Sequence, residues 1–452
     1  MLKGMSVAAP TLGCKVNQAE TDSMLDMLKA AGANIVEFDE KADIYIVNTC
    51  SVTNIADKKS RQMLHRARKM NPDGIVIAAG CYVQSAREIL EQDEAIDIVI
   101  SNNKKKSITE IVNDYINVRN NGKNAPGKDH EAMEYFVDIS GETEYEEMGG
   151  HVPVGHTRAY VKIQDGCNQF CSYCIIPYVR GRIRSRSQEA ILAEVSELAE
   201  AGIKEVVLTG IHISSYGKDK NNEGALIGLI EAISKIKGIK RIRLGSLEPG
   251  IITEEFVERI SSNSKVCPHF HLSLQSGCDS VLKRMNRKYT CEQYFEKCDM
   301  LRKAYKSPAL TTDVIVGFPG ETEEEFAETV RYLTELNLYE MHIFKYSPRK
   351  GTVAAAMKEQ VAPEIKNERS DVLLKLAHDN KTAYEAQFEG CELEVLVEEV
   401  VKKDNKTYLR GHTERYMDIL IDVGDISMPE SFVNSFVYVT YTQNGGNLPL
   451  LL

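Results

Sequence analysis

Along the first part of the chain, short apolar runs alternate with longer stretches whose apolar residues recur at helical spacing. Ser6–Leu12 leads to a helix from about Ala19, Ile44–Asn48 to one from about Asp57, and Ile75–Ala79 to one near Ser85. Repetition of this kind predicts a parallel, doubly wound α/β sheet. From Ala159 the alternation resumes with a different length, giving predicted strands at Tyr160–Gln164, Glu205–Gly210, Arg241–Gly245, Phe270–Leu274, Asp313–Gly317 and His342–Tyr346. Six βα units predict a partial barrel of TIM-like type, with its site at the carboxyl ends of the strands. Thr290 with Gln293, and Thr322 with Glu325, have capping-box spacing and start two of the intervening helices. After about Gln387 the texture changes to short runs, Leu393–Val400, Thr407–His412, Met417–Asp422 and Phe436–Thr442, joined by polar turns. They predict a small antiparallel β-barrel, a shape used both to grip nucleic acid and simply to pack. Gly445–Asn447 is expected to fray.

The length of 452 residues suits about three domains. The expected boundaries are an α/β domain over 1–128, a linker over 129–150, the partial barrel over 151–386 and the small β-barrel over 387–452. Hydrophobic residues make up 43% of the chain and no apolar run approaches the ~18 residues of a membrane span, so a cytoplasmic protein is expected. Thr11–Cys14 has the wording of a lipoprotein cleavage box, but the apolar stretch before it is short and interrupted by Pro10, which rejects that reading. The net charge of −11 is unevenly placed. Eight Asp or Glu and no Lys or Arg lie between Asp129 and Glu147, which reads as a solvated linker. Cations concentrate in Lys58–Lys69, in Arg180, Arg182, Arg184 and Arg186, and in Lys283–Lys288. Each is a solvated face or, if used, a partner for RNA phosphate or, for the alternating arginines, for substrate or cofactor carboxylates.

Cysteine placement changes the picture most. Cys14, Cys50 and Cys81 each follow directly on one of the first three predicted strands. In an open α/β sheet the carboxyl ends of the strands share one edge, so these thiols meet in space. Cys167, Cys171 and Cys174 form a CxxxCxxC knot in the loop after the first barrel strand. Three thiolates with no fourth Cys or nearby His leave one metal position open, which suits an iron–sulfur cluster better than a closed, four-ligand zinc site. Cys267, Cys278, Cys291, Cys298 and Cys391 share no spacing and are read as ordinary thiols. His269 and His271 alternate with apolar residues and are read as packed or hydrogen-bonded rather than ligating.

The knot, with Tyr173 before its last cysteine, resembles the radical S-adenosylmethionine signature. The wording Thr11-Leu-Gly-Cys-Lys-Val-Asn17, Asn48-Thr-Cys-Ser-Val-Thr53 and Ala79-Gly-Cys-Tyr82 is similar to the methylthiotransferases, whose last domain is a TRAM barrel. This resemblance spans nearly the whole chain. It implies two 4Fe-4S clusters, one on Cys167, Cys171 and Cys174 that binds S-adenosylmethionine and generates a radical, and one on Cys14, Cys50 and Cys81 that holds the sulfur to be inserted. It further implies cofactor contacts from Tyr173, from Gly210 near the methionine amino group, and from Ser246, Gln275 and Val316 at later strand ends. Lys15 after the first cysteine, and Asp57-Lys-Lys-Ser-Arg61, resemble the branch acting on N6-threonylcarbamoyladenosine beside the tRNA anticodon; the isopentenyladenosine branch usually has Gln after that cysteine. The expected partners are a tRNA anticodon stem-loop and an electron donor such as flavodoxin or ferredoxin, with the sulfur donor unspecified, for an enzyme acting as a monomer. The competing readings are the isopentenyladenosine or ribosomal-protein branches and, in another class, a non-catalytic zinc-bearing RNA-binding protein.

Overall fold

A computed structural model describes residues 2–121, 133–149, 157–404, 406–424, 428–442 and 445–447. The first part runs β1 (Ser6–Ala8), α1 (Lys15–Ala30), β2 (Asn34–Ile35), β3 (Ile44–Thr49), α2 (Asn54–Met70), β4 (Ile75–Gly80), α3 (Cys81–Ser85), α4 (Arg87–Glu91), β5 (Ile98–Ile100), α5 (Ile108–Asn120) and β6 (Met133–Tyr135). Its six strands pair in the order β2-β1-β3-β4-β5-β6, all parallel. Ile44, Ile46, Ile75 and Ile77 face a core shared with α1 and α5, while Tyr45, Val47, Val76 and Ala78 face one shared with α2. The two-residue alternation of strand side chains thus buries both faces of the sheet. β1 stops at Ala8, short of the expected Leu12, and pairing resumes at Thr11 opposite Asn48. Pro10 lies in that gap and has no N–H to give the ladder.

The acidic stretch, expected as a solvated linker, is instead built in where it is described. It supplies β6, and its Glu146 is buried and accepts the Lys106 backbone N–H at 2.9 Å. Residues 122–132 and 150–156, which contain the expected boundaries on either side of it, lie outside the described residues.

The central part runs β7 (Arg158–Asp165), α6 (Ile176–Val179), β8 (Arg184–Ser185), α7 (Gln188–Glu200), β9 (Glu205–Gly210), α8 (Ala225–Ser234), β10 (Arg241–Leu244), α9 (Glu254–Ser261), β11 (His269–His271), α10 (Asp279–Arg284), α11 (Cys291–Ala304), β12 (Ala309–Val316), α12 (Glu323–Leu336), β13 (Glu340–Lys345) and α13 (Pro363–Ala386). β10-β9-β7 and β11-β12-β13 are parallel, and the Leu247–Leu272 bridge joins the two groups into one curved wall. Both capping boxes form, at Thr290 and Thr322.

The last part comprises β14 (Glu392–Lys403), β15 (Lys406–Thr413), β16 (Asp418–Asp422), β17 (Phe436–Thr442) and β18 (Gly445–Asn447), closed into a barrel in the order β14-β15-β16-β18-β17. Gly445–Asn447, expected to fray, is the strand that closes it, because it supplies partners to both β16 and β17. Closure removes the unpaired edges that β16 and β17 would otherwise expose. Among the described residues no helix is long and apolar enough to cross a membrane.

Candidate active site

Cys14 caps α1, Cys50 follows β3 and Cys81 opens α3, so the parallel sheet brings all three thiols to one edge. Side-chain amides lock the turns that carry them. Asn17 donates to the carbonyls of Leu12 and Thr49 at 2.7 and 2.9 Å, and Asn48 donates to the Asn17 carbonyl at 3.0 Å. Gly13 has φ +100°, and a Cβ there would lie 2.8 Å from Cys50 Sγ. The chain therefore needs glycine at that point to bring two thiols together.

The second set is held from the opposite side. Gly166 has φ +73°, and a Cβ on it would strike the Arg182 carbonyl. Ser172 donates from its backbone to the Met285 carbonyl at 3.0 Å, Asn286 donates to the Phe170 carbonyl at 2.9 Å, and Arg287 reaches Cys171 Sγ at 3.3 Å. The Lys283–Arg287 segment, considered from sequence as an RNA contact, thus holds the cysteine loop through Met285, Asn286 and Arg287, and leaves Lys283 and Lys288 exposed.

The alternating arginines correct another expectation. Arg180 and Arg184 are fully buried and Arg186 nearly so, and their partners are internal. Arg180 donates to Cys81 Sγ at 3.2 Å, to Asn17 at 2.6 Å and to Glu20 at 2.5 Å. It thereby ties the loop after the CxxxCxxC knot to the other cysteine set. Arg184 faces Asp165 at 3.7 Å, and Arg186 pairs with Glu147 and Glu194. Burial alone would raise the Glu20 carboxyl, but Arg180, Lys105 and Lys162 outweigh it and hold Glu20 well below the usual carboxylate range.

Burial pushes the Cys50 and Cys167 thiols up to about 11 and Cys174 to about 12, and each is pushed further by other cysteines of its own set. A cation bound by these cysteines would have to displace their protons. Among the described residues, the single group of three or more such ligand atoms within 4.8 Å of one another is His271, Asp313 and His342. Three thiols with no fourth protein ligand are the donor set that would leave one iron of a 4Fe-4S cluster open.

Cys14 of the first set and Cys174 of the second line adjoining cavities that share Val52, Ile176 and Asp313. The larger, about 740 Å³, is lined by Cys14, Lys15, Gly210, Ser246, His271, His342 and Tyr416 among others. Its size lies within the ~300–1,000 Å³ of small-molecule sites. The smaller, about 290 Å³, is lined by Tyr173, Cys174 and Gln275. Gln275 has φ +79°, a strained conformation for a residue with a side chain and one that clusters at ligand sites. Val316 is buried in the main apolar core and lines neither cavity. The barrel interior is polar because His269, His271 and Ser273, then Thr311 and Asp313, then Glu340 and His342 alternate inward along successive strands. His271 donates or accepts at Thr311 Oγ1 (3.0 Å) and lies 3.4 Å from Asp313. The alternation around His342 was open to sequence reasoning. Tyr416 was not, since nothing in its neighbours announces an aromatic carried into the barrel on a turn with φ +67°.

Comparison with known proteins places this geometry in a family. Residues 161–333 match the radical SAM superfamily, and residues 6–101 match the uncharacterized protein family UPF0004. The chain is 40% identical over 416 residues to a Bacillus subtilis protein named threonylcarbamoyladenosine tRNA methylthiotransferase MtaB, covering 92% of this chain and 90% of that one. It is 36% identical over 443 residues to a Thermoanaerobacter pseudethanolicus protein named tRNA-2-methylthio-N(6)-dimethylallyladenosine synthase, covering 96% of this chain and 90% of the relative. A solved structure of the radical S-adenosylmethionine methyltransferase TsrM from Kitasatospora setae superposes with a TM-score of 0.55 over 76% of this chain and 77% of its own, at 16% identity, a likeness of fold alone. Identity at this level over nearly the full length, on a scaffold that carries the CxxxCxxC loop at a barrel strand end, means that the chain belongs to the radical S-adenosylmethionine family of tRNA methylthiotransferases.

Proposed function

We propose that this enzyme methylthiolates C2 of N6-threonylcarbamoyladenosine at position 37, next to the tRNA anticodon, giving the 2-methylthio derivative. In this reading Cys167, Cys171 and Cys174 hold the cluster that binds S-adenosylmethionine, and Cys14, Cys50 and Cys81 hold a second 4Fe-4S cluster. Bound there, these groups supply radical chemistry and the inserted sulfur, which an aromatic C–H with no useful acidity requires. The chain's own residues bind, orient and exclude water. Arg287 donates to Cys171 Sγ and Arg180 to Cys81 Sγ, so each orients one sulfur of its set. Tyr173 and Gln275 border the smaller cavity beside Cys174, where they can contact cofactor, and Gly210 and Ser246 do so from the larger.

The observation that carries the reading is that one cysteine of each set, Cys174 and Cys14, lines one of two adjoining cavities, since a sulfur donor must wait within contact distance of the activated carbon. The relatives at 40% and 37% identity that are named for threonylcarbamoyladenosine support the choice of base. An anticodon nucleotide is a fitting target because unstacked loop bases are the ones a protein can take into a cavity. The exposed lysines of α2, Lys58, Lys59 and Lys69, are available to backbone phosphate. Mass spectrometry of tRNA nucleosides from a deletion strain tests the assignment. Loss of 2-methylthio-N6-threonylcarbamoyladenosine, with the isopentenyl-derived methylthio nucleoside retained, is expected; the reverse pattern would sink it.

A further inference from the structure

Lys15 occupies an unusual place in the larger cavity. It follows Cys14 directly, begins α1, and is solvent-accessible where it lines the cavity wall. Its ammonium lies 5.8 Å from the centre of the Tyr416 ring. Two other cations face the same ring, Arg243 at 4.8 Å and Arg158 at 5.0 Å. Both of those are neutralised, Arg243 by Glu205 at 2.7 Å and Arg158 by Glu398 at 2.9 Å. Lys15 makes no ion pair or hydrogen bond with another described residue. Beside it His269 is 7% exposed, packs at a tilt against Tyr416 with ring centres 5.3 Å apart, and leaves its Nδ1 without a partner among the described residues. An unpaired cation and an unsatisfied ring nitrogen on the wall of one polar cavity make up a receptor for an anion.

We infer that the corner formed by Lys15, Tyr416 and His269 is the subsite for the carboxylate of the threonyl group on the substrate's N6. This rests on the substrate assignment above and deepens it. C2 and C6 of adenine flank the same ring nitrogen, so a group that receives C2 opposite Cys14 must have the N6 substituent close by. The next residue along the chain is about 3.8 Å away between Cα atoms, and its long side chain is directed to the Tyr416 ring. The isopentenyl substituent carries no charge and would leave Lys15 unpaired in the cavity, so the same corner discriminates against it. Glutamine at this position could hydrogen-bond but not neutralise a carboxylate.

The test is binding and turnover of labelled anticodon stem-loops by reconstituted holoenzyme, with the threonylcarbamoyl group as free acid, as its neutral methyl amide, or replaced by isopentenyl. The wild-type enzyme is expected to bind the acid about ten- to a hundredfold more tightly than the amide, the range of one hydrogen bond to a charged group. Lys15→Gln should lose that preference by weakening the acid alone while keeping full iron content, and Lys15→Arg should recover most of the preference. Equal binding of acid and amide by the wild-type enzyme, which needs no variant, overturns the subsite. So does loss of iron from Lys15→Gln, which would assign the lysine to the neighbouring thiolates. Preference of the wild-type enzyme for the isopentenyl stem-loop over both threonylcarbamoyl forms overturns the substrate assignment itself, and the subsite with it.

Discussion

Gly13 and Gly80 precede two of the cysteines, and both take a positive φ, near +100° and +98°. A Cβ at Gly80 would lie 2.6 Å from Asn48 Oδ1, and one at Gly13 would press on Cys50. The Gly-Cys pairs in the sequence are therefore geometric requirements of close thiols rather than chance neighbours of a strand end. Gly13→Ala is expected to leave the far-ultraviolet circular dichroism of the protein unchanged and to cut iron after reconstitution by about half, because the parted thiols lose one of two clusters. Full iron in a folded Gly13→Ala protein would mean that the thiols tolerate the added carbon, against this account. At this scale the placement of Cys14, Cys50 and Cys81 at one sheet edge, and of Gly210, Ser246 and Gln275 on cavity walls, was legible from strand-end positions. The roles of Arg180 and Arg287 were not, because alternation along an extended segment says which side a residue faces and nothing about which distant carboxylate or thiol it meets. Val316 shows the limit of the same reasoning, since its strand end turns the side chain into the core.

The elements that meet along α1, β7 and the loop after α6 carry the largest buried charge cluster at the site. Glu20 from α1 receives Lys105, Lys162 and Arg180, and Asp165 from β7 receives Lys162 at 2.6 Å and Arg180 at 3.2 Å. Both carboxyls are held below their ordinary values by these cations against the effect of burial. An acid whose folded pKa is depressed contributes stability that is fully present above its unfolded value and is lost as pH falls toward the folded one. Thermal stability should therefore hold above pH ~4.5 and fall steeply in more acid solution. Glu20→Gln should be destabilised at neutral pH by roughly 3–5 kcal/mol, as expected when one partner of a buried pair is removed, and show a shallower acid decline. Calorimetric melts from pH 3 to pH 7 check this, and identical pH dependence in both proteins would contradict it. Strand positions were readable from apolar runs; the fate of the acidic segment was not. Glu142, Glu146 and Glu147 look solvated in sequence because their partners Asn103, Lys106 and Arg186 lie some forty residues away.

Taken as a whole, the molecule is arranged around the open interior of the partial barrel. The α/β part brings Cys14 and Lys15 to it, the strand ends bring Gly210 and Ser246, and the small barrel brings Tyr416. Arg349 links the loop after β13 to Ser51, Asn54 and Asp57, and Arg241 and Arg243 link the barrel strands to backbone carbonyls of β15 and its turn. The Arg349 contacts beside Cys50, together with Arg180 on Cys81, tie the two cysteine sets to each other, which the proposed chemistry needs and which neither set could supply alone. Iron and sulfide analysis of anaerobically purified, reconstituted protein tests that claim most directly. The account predicts about eight iron atoms with matching sulfide for the intact chain, and about half of both after Cys50→Ala or after Cys171→Ala. Zinc in place of iron, or full iron retained by either variant, would contradict it.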